Sequence, residues 1–187
     1  MLLTLFRILL ICGSLASLNA CATPATPARM APHSAAIPNV PLESRLRSAI
    51  VLSKVGGGEK TNPWTFSKVG DEELREALHL ALDQYGYLCK SEKNAPYGLE
   101  VYLIELKQPE SGLTMIVDSH IRYKLVSLAD NTVAYDDVVT ASYTATLDDA
   151  FMAPTRSKMA TEGSIRINIT NFLLRLQTLT IAEPAAK

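Results

Sequence analysis

Apolar residues recur with two different periods between residues 46 and 179, and each period predicts a different kind of element. Intervals of three and four predict a helix that starts at the acidic residues 71–73 and is capped by Gly86. The same intervals predict a second helix after Pro154, a residue that suits the first helical turn. The two stripes are Leu74, Ala77, Leu78, Ala81, Leu82 and Tyr85, then Ile165, Ile169, Phe172, Leu173, Leu176 and Leu179.

Four other segments are predicted as strands, at 49–52, 99–104, 113–126 and 133–145. The last three alternate apolar and polar residues, which is typical of antiparallel strands with one packed face and one wet face. Residues 109–112 and 129–131 have the composition of hairpin turns. The order β-α-β-β-β-α predicts an α+β domain, in which two helices cover one face of a four-stranded, mainly antiparallel sheet.

The first 21 residues have the features of an export signal. Arg7 and the apolar run 8–11 are followed by small residues, and LNAC at 18–21 matches the lipobox of bacterial lipoproteins. The apolar run is too short to span a bilayer comfortably. We expect removal of residues 1–20 and acylation of Cys21 with palmitate. The alternative is an ordinary secreted protein cleaved at the A-x-A pattern of residues 20–22.

Proline and alanine dominate residues 21–45, where neither periodicity is found. Such a segment is predicted to be a spacer in polyproline II conformation that reaches ~60–70 Å, at ~3.1 Å per residue. The predicted organisation is a signal peptide at 1–20, a tether at 21–45, one domain at 46–179 and a tail at 180–187.

Charge excludes two classes of partner. The chain has 18 basic and 19 acidic residues, and loss of Arg7 with the signal leaves 17 basic residues and a net charge of −2. Neither a nucleic-acid footprint nor a polybasic membrane patch follows from this balance. Cys89 has no intramolecular partner left once Cys12 and Cys21 are assigned, and we expect it to be buried and inert.

Residues that could perform catalysis do not form a recognisable motif. His79 and His120 lack a second ligand at metal-binding spacing, so neither a metal nor a cofactor is expected. Asp136 and the adjacent Asp137 would point to opposite faces of a strand, and the pair 148–149 suits a solvated turn. The chain also lacks a G-x-S-x-G nucleophile elbow. We therefore predict a protein without catalytic residues, not an enzyme.

A glycine run and a lone tryptophan mark the loop after the first strand. Residues 56–58 are all glycine without P-loop spacing, and are predicted to be a flexible exit from the strand. Trp64 follows Asn62 and Pro63, and two interpretations stay open. In one, Trp64 is a hydrophobic staple packed with Phe66, and in the other, the three residues 62–64 are a partner-binding site.

Four segments resemble a family of uncharacterised proteobacterial lipoproteins, at 57–64, 122–125, 143–146 and 162–169. In topology the chain also resembles the lipopolysaccharide-assembly lipoprotein and the auxiliary lipoproteins of ABC-type lipid transport. The resemblance implies a lipid-anchored outer-membrane protein with its domain in the periplasm. Ala22 supports that sorting, because an Asp after the lipidated cysteine retains enteric lipoproteins at the inner membrane.

Together these features predict a non-enzymatic lipoprotein that binds an envelope protein or assists envelope assembly. The alternative is a module that binds lipid, glycan or peptidoglycan on the wet sheet face around Asp118, His120, Arg122 and Lys124. An exposed apolar patch beside the Trp64 loop would favour the first, and a closed polar pocket the second.

Overall fold

The computed structural model describes residues 22–33, 35–62, 66–109 and 111–179. The elements, in chain order, are helix α1 (Pro27–Met30), strand β1 (Ile50–Gly56), helix α2 (Asp71–Gln84), a 3-10 turn (Glu92–Asn94), strands β2 (Tyr97–Lys107), β3 (Met115–Ser127) and β4 (Val133–Ala145), and helix α3 (Ala153–Thr178). Both predicted helices and all four predicted strands are confirmed.

The strands form one sheet in the order β1-β2-β3-β4. Strand β1 runs parallel to β2, because helix α2 carries the chain back across the sheet, and the other two pairs are antiparallel. The predicted α+β architecture is therefore confirmed.

Helices α2 and α3 lie on the same face of this sheet, α2 against β1 and α3 against β3 and β4. Alternate residues of β3 are buried beneath them, including Tyr123, whose ring stacks on Phe172 at a centroid distance of 3.9 Å. Leu113 and Val133 were expected on the packed face but are exposed, since they lie beyond or at the strand ends.

Helix α3 sits close to the sheet because of one glycine and a buried polar cluster. A Cβ on Gly163 would stand 2.4 Å from Cγ of Tyr143, so only glycine permits this approach. Five residues further along, the Asn168 amide donates to the carbonyl oxygen of Val139 at 2.8 Å and accepts from Tyr123 Oη at 3.0 Å. It also donates to Ser119, which bonds Ser164 at 2.8 Å.

The prediction of a spacer at 21–45 is wrong for the part that the structure describes. Residues 22–40 lie against α2 and α3 rather than in solvent, and backbone bonds join Ala25 to Lys68 and Val40 to Tyr85. The folded unit therefore includes described residues that precede 46, from Ala22 onward. Its buried apolar side chains here are Ala22, Ala25, Met30, Ala31, Ile37 and Val40.

Two physical reasons explain the docking of this proline-rich segment. Three of its large apolar side chains, Met30, Ile37 and Val40, reach the core, and Met30 is completely buried. Its prolines lack an N–H but keep a carbonyl acceptor. The Gln84 and Gln177 side chains donate to the carbonyl oxygens of Pro32 and Pro38 at 3.1 and 2.6 Å.

Replacing Met30 by Ala should lower the free energy of unfolding by about 2–5 kcal/mol, because a fully buried side chain leaves a cavity. Urea unfolding of the chain from residue 22 onward measures this change. Leu42→Ala is the matched control, since Leu42 is 74% exposed in the same segment and should change stability by ~0.5 kcal/mol or less. Equal, small effects would show that the segment does not dock.

Asn168→Ala should cost about 2–4 kcal/mol, because it leaves the Tyr123 hydroxyl and the Val139 carbonyl without their buried partner. Thermal unfolding checks this against Asn171→Ala, an asparagine one turn along that is only half-buried. If the two variants have the same unfolding temperature, the polar cluster does not hold α3 on the sheet.

Candidate functional site

A buried carboxylate on α3 holds the beginning of the described chain. Glu162 Oε1 accepts the backbone N–H of Thr26 at 2.8 Å, and its carboxylate lies 3.9 Å from Lys158 Nζ and 4.0 Å from Arg29 Nη1. Burying a carboxylate costs several kcal/mol unless such partners surround it. Glu162 therefore makes a specific attachment point for residues 23–29.

The N-terminal segment runs alongside α3 in the same direction. Lys158 Nζ donates to Thr23 Oγ1 at 2.9 Å, and Arg166 Nη1 donates to the Arg29 carbonyl oxygen at 3.0 Å. Farther along, Gln177 reaches Pro38. The start of the segment thus lies at the N-terminal end of α3, near residues 153–158.

Cys21, the predicted lipidation site, lies outside the described residues. Its neighbour Ala22 is buried, and the next carbonyl, on Thr23, accepts a hydrogen bond from Ser67 Oγ. The first described residues of the chain therefore lie at the N-terminal end of α3.

The loop between β1 and α2 is clamped at its base. Thr61 Oγ1 donates to the Lys68 carbonyl oxygen at 3.1 Å and accepts the Lys68 N–H at 2.8 Å, and Glu59 N–H donates to Val69 O at 2.9 Å. The predicted flexible glycine exit is wrong. Gly57 has φ +85°, and a Cβ there would stand 2.2 Å from Leu103 O, so the glycine serves close packing.

Of the predicted partner-binding residues, Asn62 is exposed on this loop, while Pro63 and Trp64 lie outside the described residues. Neither the staple nor the partner-anchor interpretation of Trp64 is tested. The clamp shows only that Thr61 and Lys68 are joined at the base of the loop. We call residues 57–69 the clamped loop.

An exposed apolar patch lies beside the clamped loop, on the sheet face that the helices leave open. Tyr102 and Ile104 on β2 are 53% and 50% exposed. A Cβ added to Gly56 would stand 3.7 Å from the Tyr102 ring, and Ile104 lines a small cleft with Gly57 and Lys68. The sequence had assigned these residues only to a strand, since their exposure depends on where the helices pack.

The wet face holds the predicted ligand-binding residues, but two of them, Arg122 and Lys124, are already paired with carboxylates. Arg122 donates two hydrogen bonds of 2.7 Å to Asp136, which lower the pKa of that carboxyl. Lys124 Nζ lies 3.4 Å from Glu100. The depression between Lys54 and these pairs is shallow and open rather than a closed pocket.

Other candidate groups do not converge. Asp136 pairs with Arg122 on the open face, whereas Asp137 pairs with Arg175 of α3 on the other. His79 is exposed on α2 and His120 is half-buried on β3. Among the described residues, no group of three or more His, Cys, Asp or Glu could hold a metal ion. Cys89 was expected to be buried but is half-buried, and its thiol bonds Ser91 O at 3.3 Å.

No helix in the described ranges is both long enough and apolar enough to cross a membrane.

No family model matches the chain, and no curated protein matches it either. Among solved structures, a Xanthomonas campestris protein from a family of unknown function has a TM-score of 0.51 and 13% identity, over 81% of this chain and 90% of that chain. A candidate lipoprotein from Caulobacter crescentus has a TM-score of 0.49 and 16% identity, over 70% and 89%. A minor lipoprotein from Acinetobacter baumannii has a TM-score of 0.43 and 15% identity, over 59% and 87%. At these identities the Xanthomonas similarity shows the fold alone. The resemblance to the lipopolysaccharide-assembly lipoprotein stays a prediction.

Glu162→Ala should detach the N-terminal segment without unfolding the sheet, because the Thr26 amide loses its buried acceptor. We expect hydrogen exchange at residues 25–31 to accelerate roughly 10-fold or more, as a loss of about 1.4 kcal/mol implies. Strands β2 to β4 should keep their protection. Glu76→Ala, at an exposed carboxylate on α2, should leave both regions unchanged. Unchanged exchange at 25–31 in the Glu162 variant would contradict the attachment.

Proposed function

We propose that the protein is a non-enzymatic lipoprotein that binds an envelope protein through the clamped loop and the neighbouring patch of Tyr102 and Ile104. Cys21 carries the acyl anchor, and the domain faces the periplasm from the outer membrane. The LNAC motif and Ala22 support the anchor and its sorting. The fold, shared with a Xanthomonas protein of unknown function, is compatible with this role.

The observation that carries the proposal is the exposure of Tyr102 and Ile104 beside the clamped loop. Tyrosine is enriched among the residues that dominate binding, and the buried core of an interface is more apolar than the rest of a protein surface. Two half-exposed residues on one strand supply such a centre. The hydrogen bonds between Thr61 and Lys68 close the base of the loop beside these two residues, which lowers the entropy that this part of the surface loses on binding.

The same face is less suited to a small anionic ligand. Arg122 and Lys124 would have to leave Asp136 and Glu100 before binding a phosphate or carboxylate. An open depression also leaves most of a small molecule in water, whereas ligand sites enclose it. These features favour a protein partner over the lipid, glycan or peptidoglycan alternative.

Photocrosslinking in intact cells tests this function. A benzophenone side chain at position 102 should give one adduct of discrete mass, identified by mass spectrometry. The same group at position 80, an exposed leucine on the outer side of α2, should give none. In the position-102 protein, Trp64→Ala should lose most of the adduct, because an anchoring indole contributes about 2 kcal/mol or more, roughly 30-fold in affinity.

Two results would overturn the proposed surface. One is an adduct at position 80 that equals or exceeds the adduct at position 102. The other is a Trp64→Ala variant that loses ~3 kcal/mol or more of stability but crosslinks as before, which would identify Trp64 as a packed staple.

A further inference from the structure

A second exposed apolar surface lies around the N-terminal end of α3. Leu113 and Phe151 are 69% and 86% exposed, and Leu147 and Met152 are also exposed. The register of β3 and β4 pairs Met115 with Ala145, so the chain enters β3 and leaves β4 at the same end of the sheet. We call these four residues the apolar tip.

Hydrogen bonds hold the tip in place. Arg156 is buried, and its guanidinium donates to the carbonyl oxygens of Ala150, Phe151 and Gly112. One side chain thereby joins the loop before β3 to the loop before α3. Asp149 Oδ2 also accepts the N–H and the hydroxyl of Thr146, at 2.7 and 3.0 Å. The exposed apolar side chains are thus presented on a braced scaffold.

The tip and the proposed lipid anchor lie at the same end of the molecule. Thr23 bonds Lys158, which is five residues into α3, and at 1.5 Å per residue this is about 7.5 Å along the helix. Thr26 bonds Glu162 and Arg29 bonds Arg166, so residues nearer the N-terminus of the segment bond residues nearer the N-terminus of α3. Cys21, acylated in the proposed function, directly precedes Ala22 in the sequence. The predicted tether is docked on the domain, so it does not hold the tip away from the membrane.

We propose that the apolar tip contacts the same lipid bilayer that holds the acyl chains of Cys21. Phe151, Leu113, Leu147 and Met152 enter the interfacial layer, where apolar side chains leave water for the acyl boundary. Asp148 and Asp149 flank them and are exposed, so the contact is shallow and does not depend on attraction to anionic lipid. The proposal rests on the proposed lipidation at Cys21. It assigns the domain a fixed orientation, with the C-terminal end of α3 pointing away from the membrane.

Fluorescence of the lipidated, full-length mature protein tests this contact. In a Trp64→Phe background, Phe151→Trp places the only indole at the tip, and Leu42→Trp places it on an exposed leucine near the other end of α3. Each protein is reconstituted into vesicles of phosphatidylethanolamine and phosphatidylglycerol with brominated acyl chains. The Phe151→Trp protein should lose most of its emission and shift to the blue, at low and high salt alike. The Leu42→Trp protein should be unchanged.

Mass spectrometry of the purified protein separates the possible failures. Acylated Cys21 without quenching of the Phe151→Trp protein overturns the tip and leaves the proposed anchor intact. An unmodified Cys21 overturns the anchor and, with it, the membrane orientation.

Hydrogen exchange of the unsubstituted protein is the second measurement. Protection at 146–152 that appears on vesicles supports the membrane contact. Protection of residues 146–152 that appears without lipid and grows with protein concentration would show that the tip contacts a second copy of the chain. That result would overturn the proposed membrane contact.

Discussion

The buried Glu162 carboxylate determines how the rest of the molecule is arranged around α3. A charge removed from water needs compensation, and Glu162 receives it from the Thr26 N–H, Lys158 and Arg29. These contacts hold residues 23–29 against α3, although a proline-rich composition favours exposure to solvent. Once Thr26 is held, Met30 and Val40 can fill the core beside α2 and α3, and the chain's start is fixed at one end of the domain.

This arrangement divides the surface of the molecule into regions with different chemistry. The helices and the N-terminal segment cover one face of the sheet, and the other face stays open with Tyr102 and Ile104 exposed beside the clamped loop. The N-terminal end of α3 carries the apolar tip and lies next to Ala22. A lipoprotein attached at that end would keep the open sheet face, with Tyr102 and Ile104, separate from the four residues of the apolar tip.

The sequence predicted the elements whose apolar residues recur with a regular period. Periods of two and of three to four residues identify the strands and helices, since each element buries one side. Periodicity could not predict that the N-terminal segment docks, because Met30, Ile37 and Val40 follow no period and prolines separate them. Asn168 and Ser119 also escape it, since a polar residue on an apolar stripe reveals its buried partner only in three dimensions. The exposure of Tyr102 depends on which face of the sheet the helices cover. Cys21 and Trp64, the two sequence-predicted sites with the clearest motifs, await direct tests.

The central claim is that residues 22–31 are docked on the domain, so that a lipid on Cys21 holds the domain directly against the membrane. Neutron reflectometry of the lipidated protein on a supported bilayer measures the water-filled gap between headgroups and protein. The docked segment predicts protein density that begins within the headgroup layer, with a gap of less than ~10 Å, the scale of one or two linking residues. A hydrated gap of several tens of ångströms, approaching the ~60–70 Å reach of an extended proline-rich spacer, would contradict the account.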